Sequence, residues 1–370
     1  MRELVLVLSY VIDWIFIIGI ALIGYAFSTT TPNQRPFTLT DASISYPYVK
    51  DETVSVGVMV VVSLVAPAVI IVLVSLVLIP GSVVDRTASR TVLKYKLWEW
   101  HAGWMGLALA AAGVFMATEG LKSLYGKPRP DMLARCDPDL SDIAAHAVGG
   151  LGGKLNGAPT VVTWKICRNK SDMLRVQGFS SFPSGHSSFS FAGLTYLSLW
   201  LCAKFSVTFP YLSYYPFQSR LHGRKHEKSS ENPNGDVDSE GDKGMSVRSQ
   251  GAAPPVYLII IAFVPFAVAH FIVATRWFDH RHHGFDIIFG SLMGIVFAWT
   301  SFQLYHLPIR RGAGWSWGAR SRYHAFFKGV GKPSHVGDDN WTSSRVMHSS
   351  GADFRRQDGD IESAPGALVT

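Results

Sequence analysis

The sequence predicts an all-α fold: a six-transmembrane-helix bundle whose polar clusters gather in loops on one face, ending in a disordered tail. Three observations predict it. Of 370 residues, 48% are hydrophobic and only 16% are charged, against about a quarter charged in an ordinary soluble domain. Mean hydropathy is +0.18, and the apolar residues are gathered in blocks of about 20, the length a helix needs to cross a bilayer. The cations lie between these blocks and in the tail, so the formal charge of +7 reads as the loop charge of a multi-pass membrane protein. Nucleic acid is not expected as a partner; a lipid bilayer is.

The six blocks fall at about 4–27, 54–79, 100–120, 188–207, 256–275 and 285–306. The first is longer than the roughly 7–15 residues of a signal-peptide core and no small-residue cleavage site ends it, so it is read as a signal anchor. Its Asp13 should face the bundle rather than lipid. The second is the most purely apolar, and its Pro67 is tolerable where neighbouring helices re-satisfy the backbone. Residues 1–306 thus form one six-span domain, with no internal repeat of fixed period. The 208–255 connection and the 307–370 tail are read as largely disordered, being rich in Lys, Glu, Asp, Ser, Asn and Gly. Between Leu307 and Val330, Trp315, Trp317, Tyr323, Phe326 and Phe327 interleave with Arg and Lys. That mixture suits either a segment lying on anionic headgroups or a plain exposed loop.

If the blocks alternate across the membrane, the N-terminus, the 80–99 and 208–255 connections and the tail share one side. That side carries Arg86, Arg90, Lys94 and Lys96, then Arg220, Arg224, Lys225 and Lys228, then Arg310, Arg311, Arg320 and Arg322. The positive-inside rule makes both termini cytoplasmic. Cys136 and Cys167 then share the long 121–187 loop on the opposite side, where an oxidising lumen would allow a disulfide, two unpaired thiols being the alternative. The sequon Asn169-Lys170-Ser171 lies in the same loop and would be open to glycosylation there. Asn340-Trp341-Thr342, in the tail, would stay unused.

Three polar clusters emerge on that same side. They are Lys122-Ser123-Leu124-Tyr125-Gly126-Lys127-Pro128-Arg129-Pro130, Ser181-Phe182-Pro183-Ser184-Gly185-His186-Ser187, and the stretch from Thr275 to Asp286. Lys122, Arg129 and Arg276 are fixed cations, and Arg binds phosphate bidentately. Ser184 and Gly185 open the fourth span, where free backbone N–H groups and the helix dipole favour an anion. His186 and His282 supply two imidazoles, one able to attack and one able to donate a proton. Asp286 follows His282 by four residues, so a sixth helix reaching back that far would let the carboxylate orient the imidazole. Together these groups suit a tetrahedral oxyanion and phosphoryl transfer, with three cations in place of a metal. His280, His282 and His283 beside Asp279 and Asp286 invite a zinc reading, but the other clusters complete no ligand set. No metal and no cofactor are expected, and Lys127, Asp131, His280 and His283 are read as supporting or surface residues.

Lys122-x6-Arg129-Pro130, Pro183-Ser184-Gly185-His186 and Thr275-Arg276-x5-His282-x3-Asp286 together resemble the three-part signature of the type 2 phosphatidic acid phosphatase superfamily. That superfamily includes the lipid phosphate phosphatases, among them the diacylglycerol pyrophosphate phosphatase type, and the vanadium haloperoxidases. The segment from Asp41 to Tyr48 also looks like the first lumenal loop of lipid phosphate phosphatases. The resemblance covers roughly residues 1–305, and Thr275 stands where the family usually has Ser. It implies a site built from lumenal or extracellular loops. There His282 attacks phosphorus to form a phosphohistidine, Asp286 orients it, and His186 protonates the leaving alkoxide and then activates water. Lys122, Arg129, Arg276, Ser184 and the Gly185 amide would hold the phosphate, without magnesium.

The substrate implied is phosphatidic acid, diacylglycerol pyrophosphate or lysophosphatidic acid, in an endomembrane or the plasma membrane. An isoprenoid pyrophosphate or sphingoid-phosphate phosphatase is the second reading. A non-catalytic membrane protein retaining the fold is the third, and it predicts losses among the signature positions that this chain does not show. A vanadate-dependent peroxidase is disfavoured by the six spans.

Overall fold

The computed structural model describes residues 2–77, 89–208, 252–309 and 315–320. The readings on 209–251, on 310–314 and on 321–370, Asn340 included, lie outside the described residues. Six long helices carry the fold: α1 (Arg2–Ser28), α2 (Val56–Val77), α3 (Ser89–Tyr125), α4 (Gly185–Lys204), α5 (Val256–Phe278) and α6 (Gly284–Tyr305). Five of them, all but α4, are long and apolar enough to cross a membrane.

The polarity of α4 has a packing cause. Sixteen of its twenty residues are buried, and it packs against α2, α3, α5 and α6, so its serines meet other helices rather than lipid. Close approach is made possible by glycine. A Cβ added at Gly290 of α6 would lie 2.7 Å from the Ser184 carbonyl oxygen, and one at Gly294 would lie 2.4 Å from that of Ser188. With the buried Ala298 these form a stripe of small residues at every fourth position, the spacing that lets two membrane helices touch backbone to backbone. On the other flank, a Cβ at Gly193 would lie 1.7 Å from the Ser63 carbonyl oxygen. Ser63 is the residue whose carbonyl Pro67 cannot serve, four positions on. Helix α2 widens into a π-helical stretch at Val61–Val65, just before that proline.

The long connection between α3 and α4 departs from an all-α fold. It holds β2 (Ala147–Gly150) and β3 (Thr160–Val162), which pair with β1 (Phe37–Thr38) from the first connection as an antiparallel sheet in the order β1-β3-β2. Phe37, Ile44, Met132, Leu174 and Phe179 close a small core beneath it, stapled by the Cys136–Cys167 disulfide. Asn169 is already engaged there: its Nδ2 donates to the Arg135 carbonyl at 2.9 Å, and Nδ2 is the atom that a glycan would take.

At the opposite end, residues 315–320, within the tail expected to be largely disordered, pack against the bundle. Ser316 is buried and donates through its backbone N–H and its hydroxyl to Glu99 Oε1, at 2.9 and 2.6 Å. Glu99 also pairs with Lys204 of α4. Trp98 Nε1 donates to the Trp317 carbonyl at 2.9 Å. Arg320 pairs with Asp13 of α1 and lies over the Tyr10 ring, 4.8 Å from its centroid. A strap from the tail thus joins α1, α3 and α4.

The glycine contacts make a prediction. Gly294→Val should clash with the α4 backbone, lowering the thermal midpoint of the purified protein and the yield of folded protein. Gly19→Val, where an added Cβ meets nothing within 4 Å, should leave both unchanged.

Candidate active site

The three polar clusters converge at one end of the bundle. Ser184 caps α4, its hydroxyl accepting from the Ser187 N–H at 3.4 Å and from the Ser187 hydroxyl at 2.9 Å, as an N-cap serine should. A Cβ at Gly185 would stand 2.9 Å from Lys122 Nζ, so glycine admits that cation to the first turn of α4. Lys122 pairs with Glu119 at 2.6 Å.

His282 is buried in the connection between α5 and α6, with Nδ1 2.7 Å from the Ser181 carbonyl oxygen. A carbonyl can only accept, so Nδ1 carries the proton and Nε2 of the neutral ring keeps its lone pair. Burial and then the charge of Arg129 hold this ring well below the ordinary histidine range. Lys122 and His186 add to the effect and the Ser181 carbonyl opposes it. His282 is therefore a neutral imidazole at neutral pH, with its lone pair on Nε2, set among cations. His186, on the first turn of α4, donates through Nε2 to the Val54 carbonyl at 3.1 Å, which leaves its Nδ1 for other work.

Arg129 is half-buried, and its guanidinium meets only the Ser180 carbonyl, at 3.5 Å, with Nε unpartnered. Burial pushes its pKa down to about 10, the charges of Arg135 and Arg281 act the same way, and Asp131 and Glu52 act against them. It stays charged at neutral pH, and among the described residues no carboxylate pairs with it. Arg276 is the opposite case. Its Nη1 pairs with Glu52 at 2.8 Å, its Nη2 with Asp279 at 2.9 Å and the Val54 carbonyl at 3.0 Å, and its Nε meets Thr275 Oγ1 at 3.2 Å. Thr275 so supplies the hydroxyl that a Ser would have supplied.

Asp286 does not contact His282. Helix α6 begins at Gly284, so His282 precedes it and the same-face spacing does not apply. The carboxylate turns back instead to the His283 backbone N–H at 3.2 Å, as a capping box, and takes Ser181 Oγ at 2.6 Å and Lys127 Nζ at 2.7 Å. Its link to His282 runs through Ser181, whose hydroxyl meets Asp286 and whose carbonyl holds the imidazole. The three histidines that suggested zinc have separate partners: His280 stacks on Tyr46, His282 meets Ser181, and His283 faces Asp286.

Sequence reasoning missed the groups that hold this site from the first connection. Glu52 bridges Arg276 and Arg281, and Thr53 donates its N–H and hydroxyl to Asp279 at 3.0 and 2.7 Å. Burial alone would raise the Glu52 carboxyl, but the Arg276 hydrogen bond and the charges of Arg281, Arg276 and His186 bring it below its usual value. Arg281, also buried, lies over Tyr48 at 5.0 Å, and Arg135 lies over the same ring at 4.5 Å while pairing with Asp131. An acid 224 residues from its partner leaves no local signal in the sequence.

Residues 101–310 match the PAP2 superfamily. Diacylglycerol pyrophosphate phosphatase 1 of Saccharomyces cerevisiae is 29% identical over 300 residues, 80% of this chain and 80% of its own length. Probable diacylglycerol pyrophosphate phosphatase 1 of Schizosaccharomyces pombe is 26% identical over 298 residues, covering 80% of this chain and 81% of its own. Lipid phosphate phosphatase 2 of Arabidopsis thaliana is 26% identical over 236 residues, covering 64% and 60%. No solved structure matches the chain significantly.

Two outcomes test this geometry without reference to turnover. Asp279→Asn removes one carboxylate from a guanidinium pair that is 1% and 2% exposed, which should cost about 3 kcal/mol in unfolding measurements. Arg168→Ala, at a pair 61% and 41% exposed, should leave stability unchanged. The second concerns pH. The folded His282 pKa lies below its unfolded value of about 6.5, so the unfolded chain binds the extra proton. This contribution is present in full above about pH 6.5 and is lost as pH falls below it. The thermal midpoint should fall less steeply on acidification in His282→Asn than in the native chain.

Proposed function

The chain belongs to the PAP2 superfamily, and from that premise we propose that it removes phosphate from a membrane lipid through a phosphohistidine on His282. The reading names phosphatidic acid, diacylglycerol pyrophosphate and lysophosphatidic acid as substrates, in keeping with relatives named as diacylglycerol pyrophosphate and lipid phosphate phosphatases. The observation that carries it is the fixed tautomer of His282, with an Nε2 lone pair within electrostatic reach of Arg129, Lys122 and His186.

Phosphate settles among Lys122, Arg129, Arg276, Ser184 and the Gly185 N–H, where charge-assisted bonds and the α4 dipole meet its oxygens. The bound anion brings negative charge to His186, which favours the protonated ring, so a proton reaches it together with the substrate. Nε2 of His282 forms a bond to phosphorus while the bond from phosphorus to the lipid oxygen breaks, and His186 gives its proton to the departing oxygen. For a pyrophosphate lipid the departing group is the phosphatidate. His186 then takes a proton from water as that water attacks the phosphohistidine, which releases phosphate and restores His282. Asp286, Ser181 and Lys127 keep the His282 ring aligned for both steps.

We read α4 as the sixth span, since its polar side chains are enclosed by neighbouring helices. Both termini then lie in the cytoplasm and the site opens to the lumen or the cell exterior, in an endomembrane or the plasma membrane. Residues 1–306 form the catalytic domain in this reading.

The test is phosphate release by purified protein from a panel of lipid phosphates in EDTA. Glycerolipid phosphates should be hydrolysed, orthovanadate should inhibit, and His282→Ala should lower the rate by about 10⁴-fold or more with no trapped phosphoenzyme. Vanadate resistance together with a need for Mg²⁺ would overturn the mechanism. Release from isoprenoid or sphingoid phosphates alone would replace the substrate and keep the chemistry.

A further inference from the structure

Arg281 is buried beside the site, yet the phosphate cradle makes no use of it. Its side chain is 3% exposed, and its Nη2 donates to the Val49 carbonyl at 2.7 Å. Nη1 lies 4.0 Å from Asp131, which is already paired with Arg135 at 2.8 Å. Among the described residues Nε has no partner. The carboxylate nearest to Arg281 is that of Glu52, whose Oε1 lies 3.2 Å from Nη2. Glu52 Oε2 accepts from Arg276 Nη1 at 2.8 Å, so one carboxylate sits between two buried guanidiniums.

The two acids on Arg276 differ in kind. Asp279 is 2% exposed and also accepts from the Thr53 N–H and hydroxyl at 3.0 and 2.7 Å, so it belongs to the frame. Glu52 is 27% exposed, and among the described residues its carboxylate pairs only with Arg276 and Arg281. An acid held by cations alone, at the end of a flexible side chain, can turn to water while its backbone stays in place. It would leave behind two buried guanidiniums converging on one position, and buried charge demands a partner. The Glu52 carboxylate thus marks an anion position that the chain fills for itself.

The surroundings of that position say which anion fits. Arg276 serves both it and the cradle of the reacting phosphate. His186 and Arg276 donate to the same Val54 carbonyl, at 3.1 and 3.0 Å, and Glu52 lies within electrostatic reach of His186 and Arg129. Two separate dianions sharing one arginine would repel each other, whereas two phosphates joined by a bridging oxygen meet the same cations as one ligand. The side of the site near His186 is also where a leaving group receives its proton. A monoester leaves as an alcohol, which has no charge for two arginines to hold; a pyrophosphate leaves as a phosphate.

We propose that Arg276 and Arg281 form a second phosphate subsite, closed by the Glu52 carboxylate in the free protein, that receives the inner phosphate of a pyrophosphate lipid. As the bond from His282 Nε2 to the outer phosphorus forms, the bond from that phosphorus to the bridging oxygen breaks. Its electron pair stays on the inner phosphate, which takes the His186 proton and whose remaining charge the two guanidiniums hold. Glu52 returns when that phosphate leaves. The lipid part of this assignment rests on the lipid-phosphatase reading, whereas the subsite itself does not.

The experiment is calorimetric titration of the purified full chain in EDTA with methylenediphosphonate, which carries two phosphonates, and with methylphosphonate, which carries one. Glu52→Gln should tighten diphosphonate binding about ten-fold, as for a position that its own plug leaves open about one-tenth of the time. Arg281→Gln should weaken it about ten-fold, the loss of one charge-assisted hydrogen bond. Methylphosphonate should respond clearly less in both variants, and Arg281→Lys should fall between Arg281→Gln and the native chain. Arg168→Ala, at an exposed pair, should bind both ligands as the native chain does. A Glu52 that only braces Arg276 predicts the opposite sign, weaker binding of both ligands in Glu52→Gln. That result, or equal changes for the two ligands in either variant, would overturn the subsite. If Arg281→Gln does not fold, the sign in Glu52→Gln decides, and if Glu52→Gln does not fold, Arg281→Lys decides by its selectivity. Absence of lipid hydrolysis by the native chain with the ligand pattern intact would defeat the lipid-phosphatase reading and leave the subsite standing.

Discussion

A guanidinium withdrawn from water needs an acceptor on nearly every N–H, and Arg276 meets that demand with groups from distant parts of the chain. Glu52 and Val54 come from the first connection, Asp279 from the end of α5, and Thr275 from the helix itself. Val54 then offers the same carbonyl to His186. The stretch from Glu52 to Val54 thus fixes Arg276 and His186 with one short piece of backbone. Thr53 and Glu52 extend that piece to Asp279 and Arg281. Release of this stretch would free Arg276, His186 and the connection that carries His282 together.

The charges around His282 are balanced unevenly. Lys122 has Glu119, Arg276 has Glu52 and Asp279, and Lys127 has Asp286. Arg129 has none of these, and its charge is the first that His282 feels. An incoming anion therefore finds, among the described residues, one guanidinium without a carboxylate partner near His282 and several cations already held in place by carboxylates. That arrangement fixes side-chain positions before the substrate arrives, so little reorganisation is left for the chemical step.

Spans and signature residues were legible because each rests on local chemistry: a run of apolar residues, or fixed spacings around Arg, His and Ser. What escaped depended on groups that a sequence does not display. The partner of His282 is a backbone carbonyl, and every residue has one. Asp286 appeared to face His282 only on the assumption that α6 began before His282; it begins at Gly284, and the carboxylate caps its own helix instead. Glu52 looked like an ordinary loop acid until folding brought it to Arg276. The polarity of α4 and the docking of Ser316 on Glu99 share a physical origin, since both place polar groups where only a neighbouring segment of the same chain can satisfy them.

The pairing of Asp13 with Arg320 spans 307 positions, and its consequence lies in biosynthesis. Asp13 lies in α1, which is made before the other five long helices, whereas its cation is made only after all six. During insertion that carboxylate has to be neutralised by a proton, by water or by the insertion machinery. The strap takes over once synthesis passes residue 320. Helix α1 thus precedes the other five long helices in synthesis and acquires its native charge partner only after the last of them.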